Sequence, residues 1–136
     1  MTEVPIRITG RDLPGLRCGE HSQVHVGVQR GGEVTGLVPG DAAEAVFDLT
    51  VTCATTAAGP RFRGPYVHGR AGERFLYLSW GELRDGEFTM FRRAKLHLPD
   101  PADGPAGFDA ELLLTDARGG PLCASVRPPA ITWRPR

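Results

Sequence analysis

Lysine is almost absent from this chain, since every basic residue except Lys95 is an arginine. Long apolar runs are absent too, and none approaches the roughly 20 residues that a helix needs to cross a bilayer. The opening Met-Thr-Glu-Val has no basic stretch followed by an apolar one, so no secretory leader is expected. Cysteine is scarce and odd in number. Cys18, Cys53 and Cys123 stand among apolar or turn residues, which excludes a disulfide framework and predicts reduced thiols in a cytoplasmic protein without a membrane partner. An excess of charge of one sign is also missing. The 16 basic and 16 acidic residues balance, so no overall field recruits nucleic acid or an anionic membrane. The preference for arginine reads as the mark of a GC-rich genome.

What the chain has in quantity is turn residues. Its 18 glycines and 12 prolines are spread along 136 residues, which predicts many reversals and few long helices. A chain of this length closes one core without staples, so a single domain over residues 1–136 is expected.

Between the turns the hydrophobic pattern has period two. Ile6 and Ile8 alternate with Arg7 and Thr9 in a strand that Pro5 places at an edge or at the start of a sheet. Val24, Val26 and Val28 alternate with His25, Gly27 and Gln29, and Gly31-Gly32 turns that strand back over Glu33 to Val38. Phe47, Leu49, Val51 and Cys53 share the face of another strand, and Phe108, Ala110, Leu112 and Leu114 that of a further one. Short strands are expected at Tyr66 to His68, Leu122 to Val126 and Ile131 to Trp133. With about nine strands and no convincing helix, the fold class is all-β, an antiparallel sandwich or small barrel.

The longest element is a hairpin from Glu73 to Leu98. Asp85-Gly86 predicts a type I′ turn that pairs Arg84 with Glu87 and fixes an unbroken register outward from there. One face then carries Phe75, Tyr77, Ser79, Gly81 and Leu83 opposite Leu96, Ala94, Arg92, Met90 and Phe88, and is expected to face the core. The other carries Trp80, Leu78 and Leu76 with Phe91, an outward apolar surface that wants a cover. Arg92 is the anomaly, because an unpaired buried guanidinium costs several kcal/mol. It is answered by an acid of the chain, such as Asp116, Asp41 or Glu111, by snorkelling to the barrel mouth, or by a ligand. Small neighbours leave room beside it, while Tyr77, Met90, Phe88 and Phe75 supply walls, as a site for an anionic or enolisable molecule requires.

Other motifs carry less. Cys18-x2-His21-x3-His25 has donors suited to zinc, but one of them is on a strand, two are in a loop, and no fourth ligand is near in sequence, so no metal is expected. No Gly-x-Ser-x-Gly elbow is present. Gly-Arg-Ala-Gly at Gly69 to Gly72 lacks the context of a phosphate loop and reads as a turn. Arg61, Arg63 and Arg70 around Tyr66 make a locally basic loop, read as solvated.

The segments VHVGVQ (Val24 to Gln29), LVPGDA (Leu37 to Ala42), FRGPYVHGR (Phe62 to Arg70), RFLYLSWG (Arg74 to Gly81), FTMFRRAKL (Phe88 to Leu96), LTDARGGPLCA (Leu114 to Ala124) and VRPPAITW (Val126 to Trp133) resemble an uncharacterised family of small actinobacterial proteins. That family is catalogued only as a domain of unknown function, and the resemblance implies no activity. Size and strand content are also similar to the cofactor-free β-barrel cyclases of actinobacterial polyketide pathways, though none of their motifs is found.

Two functions are therefore expected from the residues. The first is a cofactor-free binder of a small molecule at Arg92, Ser79, Tyr77, Met90 and Phe88, extending to cyclisation or isomerisation if Arg92 stabilises developing negative charge and Tyr77 acts as an acid. The alternative is an interaction module, such as a homodimer, joined through Trp80, Phe91, Leu78 and Leu76.

Overall fold

The computed structural model describes residues 2–11, 22–27, 38–39, 44–113 and 129–136. The side chains of Ser22, Pro39, Phe91 and Arg92 lie outside that description, as do the segments with the Gly31-Gly32 turn, Cys18, His21 and the Leu122 to Val126 strand. Among the described residues nine strands form two sheets: β1 (Thr2–Arg11), β2 (Ser22–Val26), β3 (Val38–Pro39), β4 (Glu44–Thr56), β5 (Gly59–Arg63), β6 (Phe75–Arg84), β7 (Glu87–His97), β8 (Phe108–Leu113) and β9 (Ala130–Pro135). The fold is all-β, with a curled sheet forming a half-barrel plus a second sheet. Among the described residues the only helical piece is a 3₁₀ turn at Pro101–Asp103, capped by Asp100.

The topology follows from adjacent strand pairs. After β1 come β2–β3, β4–β5, β6–β7 and β8–β9, each antiparallel, and they are shared alternately between the sheets. One sheet has the order β5-β4-β1-β8-β9, the other β3-β2-β6-β7. β1 lies between two of these pairs, antiparallel to β4 and parallel to β8. The expected purely antiparallel arrangement is corrected at this one pairing, and β1 is central rather than an edge. Pro5 is accommodated because the β8 ladder begins only at Ile6, leaving β4 as its sole strand neighbour.

Alternation on β1, β4 and β8 does what the pattern predicts. Val4, Ile6 and Ile8 bury with Phe47, Leu49, Val51, Phe108, Ala110 and Leu112. The wet face carries ion pairs, Arg7 with Asp48 at 2.8 Å and Arg11 with Glu111 at 2.6 Å. They are exposed, so they help set register more than stability, and Arg7 holds the Asp48 carboxyl below its ordinary pKa. β5 was not expected. It turns back after Thr56, whose hydroxyl donates to Gly59 O, and it buries a single large side chain, Phe62.

One hydrophobic cluster joins the sheets, with Val24, Val26, Leu76, Leu78, Trp80 and Leu96 meeting the β1, β4 and β8 residues. Trp133 Nε1 adds a hydrogen bond from β9 to His97 O at the end of β7.

Candidate functional site

The hairpin turn forms as its sequence requires. Asp85 and Gly86 take φ of +51° and +79°, and the ladder runs Arg84 with Glu87, Leu83 with Phe88, Glu82 with Thr89 and Gly81 with Met90. There the register shifts. The next pair is Trp80 with Arg92, so Phe91 is one extra residue on β7, a β-bulge. Gly81 permits it, since a Cβ at that position would run into the carbonyl oxygen of Thr89.

The bulge changes which residues meet, and burial changes which face is inward. Leu76, Leu78 and Trp80 lie in the core, where Trp80 and Leu78 pair with Val24 and Val26 of β2, and Leu76 with Leu96 of β7. The expected outward interface of Trp80, Leu78 and Leu76 is therefore corrected. These are the most apolar positions of β6, and burying them against two valines outweighs the mixed alternative set. The Phe91 side chain lies outside the described residues. Tyr77, Ser79, Phe88 and Met90, expected to face the core, stand instead on the opposite face of the sheet.

That face has its own chemistry. His25, Ser79 and Arg93 form one row across β2, β6 and β7, Tyr77 pairs with Lys95, and Phe75 with His97. The Arg93 guanidinium carbon lies 4.2 Å over the Tyr77 ring, and Lys95 Nζ lies 4.6 Å over Phe75. His68, bridged to Phe75 by two backbone hydrogen bonds of 3.0 Å, brings its ring 4.7 Å from Tyr77. Beside this ladder lies an open cleft of about 430 Å³ lined by His68, Arg70, Glu73, Phe75, Tyr77 and Lys95.

Deeper in the row, His25 is 3% and Ser79 1% exposed, and among the described residues neither imidazole nitrogen nor the Ser79 hydroxyl has a hydrogen-bond partner. The Phe88 ring stacks on His25 at 4.1 Å, reaching across β6 where Gly81 has no side chain. Burial pushes the His25 pKa down to about 4, so the ring is neutral at pH 7. It is then both a donor and an acceptor, and no described residue answers either.

Residues 4–136 match the model of a protein family described as a family of unknown function. The chain belongs to DUF5990. No curated protein and no solved structure matches it.

In this DUF5990 protein the sheet thus brings together four of the five expected ligand residues, Ser79, Tyr77, Phe88 and Met90, on one face. The fifth, Arg92, has its backbone opposite Trp80, and its side chain lies outside the described residues. The cation beside Ser79 is Arg93. Sequence reasoning missed it because an unbroken ladder past Gly81 pairs Ser79 with Arg92, whereas the observed register pairs it with Arg93. It also missed His25, Lys95 and His68. His25 belongs to this buried row, while Cys18 and His21 of the zinc-like spacing lie outside the described residues. Among the described residues no three His, Cys, Asp or Glu side chains cluster as metal ligands, and no helix is long and apolar enough to cross a membrane.

Proposed function

We propose that this DUF5990 protein binds a small anionic ligand with a planar part on the outer face of the β6–β7 hairpin. The observation that carries this is Arg93, exposed, held over Tyr77 and without an acidic partner within ion-pair distance among the described residues. Lys95 and the adjoining cleft extend the same surface. A guanidinium fixed on an aromatic ring keeps its N–H fork for a carboxylate, enolate or other oxyanion. If the ligand is transformed, the chemistry is cofactor-free isomerisation or cyclisation, with Arg93 facing developing negative charge and Tyr77 in reach as an acid.

A cytoplasmic setting and an actinobacterial source belong to the same proposal, supported by the unpatterned cysteines and the arginine-rich composition. A homodimer would need a surface other than Leu76, Leu78 and Trp80, which are in the core.

The test is amide chemical-shift mapping of the full chain with a library of small aromatic carboxylates, phosphates and sulfonates. Shifts centred on Phe75, Tyr77, Arg93 and Lys95 are expected. A library that leaves all four unmoved defeats the proposal.

A further inference from the structure

The cleft beside Tyr77 does not end at His68 and Gly69. The same two residues line a second cleft, of about 360 Å³, whose far wall holds Arg63 and Arg74. Arg63, Arg70, Arg74, Arg93 and Lys95 thus gather around one ridge, in a chain with no net charge. The single carboxylate among these residues, Glu73, is paired with Lys95 at 3.1 Å. None of the four arginines has a carboxylate within ion-pair distance among the described residues. One carboxylate ligand at Arg93 leaves the three others without an anion.

The ridge is also built to hold its shape. His68 and Phe75 exchange backbone hydrogen bonds, and Glu73 N donates to Arg70 O at 3.0 Å. Gly69 takes φ +131°, and a Cβ there would run into the Glu73 carbonyl oxygen. Arg74 is pinned by donating Nε to Phe62 O at 3.2 Å and Nη1 to Glu73 O at 2.6 Å. A cation fixed in advance loses little freedom when an anion arrives.

We infer that the ligand of this face is phosphorylated, with its ring against Tyr77 and its phosphate reaching across His68–Gly69 to Arg70, Arg63 and Arg74. This rests on the anion-binding reading above and narrows it. A phosphate carries up to two charges and three acceptor oxygens, matching several guanidinium forks where a carboxylate matches one.

The experiment titrates the full-length protein with adenosine monophosphate, adenosine and benzoate, read by amide shifts and calorimetry. Adenosine monophosphate is expected to move residues 68–75 and Tyr77 and to bind at least about tenfold tighter than adenosine. Arg63→Gln and Arg70→Gln, both at exposed positions whose spectra report that the fold is kept, should each weaken the nucleotide severalfold and leave adenosine unchanged. Equal binding of nucleotide and nucleoside, or indifference to both substitutions, overturns the inference. If benzoate alone shifts Tyr77 and Lys95, the phosphate is wrong and the anion-binding reading stands; if neither anion moves them, both fall. Affinity that climbs with the length of a single-stranded oligonucleotide also overturns the small-ligand form.

Discussion

Ser79 faces Arg93 across the β6–β7 ladder, one residue beyond the partner that an unbroken register from the Asp85–Gly86 turn gives it. That slip puts the guanidinium over Tyr77 rather than into the core. Arg93→Met should therefore abolish aromatic-anion shifts at Tyr77. Its cost in stability should be about 0.5–1 kcal/mol, the worth of an exposed cation–π contact. Calorimetric titration with a denaturant melt checks both parts.

The slip depends on Gly81, where a side chain meets the Thr89 carbonyl oxygen. Gly81→Ala forces the backbone of β6 and β7 apart, and a loss of about 1–3 kcal/mol is expected, as for overpacked sites. The urea midpoint gives the stability. Loss of the Phe88–His25 ring contact in an NMR spectrum would show where the strain goes.

Trp80 sits in the core opposite Val24, with its indole N–H unpaired among the described residues. Trp80→Ala should cost about 3–5 kcal/mol as a cavity-forming core change. Trp80→Glu should leave little folded protein by circular dichroism. A folded Trp80→Glu protein that has merely changed its mass in light scattering would place the indole at an interface and contradict this packing.

How far the sequence was legible depends on how many patterns agreed at each place. On β1, β4 and β8 strict alternation leaves one answer, and Ile6, Phe47, Leu49, Phe108 and Leu112 are all buried as read. Asp85-Gly86 specified its turn because Asp-Gly suits the positive φ that a type I′ turn needs at both central residues. β6 was ambiguous because both its faces are buried in part: Phe75 and Ser79 on one side, Leu76 and Leu78 on the other. Period two says which residues share a face and not which face is inward. A bulge adds a residue with no mark of its own except a glycine, so Arg93 and not Arg92 stands opposite Ser79. The parallel β1–β8 pairing is non-local, and no short-range pattern encodes it.

His25 gives the sharpest test of the buried row. Its ring lies against Phe88 beside Ser79, and burial lowers its pKa from 6.5 to about 4. Between those values the unfolded chain takes up a proton that the folded protein refuses, so stability rises with pH across that window. The contribution is complete above pH 6.5, shrinks as the pH falls, and is gone below about 4; its full size is on the order of 3 kcal/mol. His25→Leu removes the titrating group and the two unpaired nitrogens together. At pH 7.5 the variant should be close to the parent or more stable, because no polar atom is left unanswered. The advantage of the variant should then widen steadily as the pH drops toward 4, since the carboxylates titrate alike in both proteins and cancel in the difference. Urea midpoints of the two proteins along that series measure it. A difference that stays flat with pH would mean that the imidazole reaches water in the folded state, contrary to the burial of His25 beside Ser79.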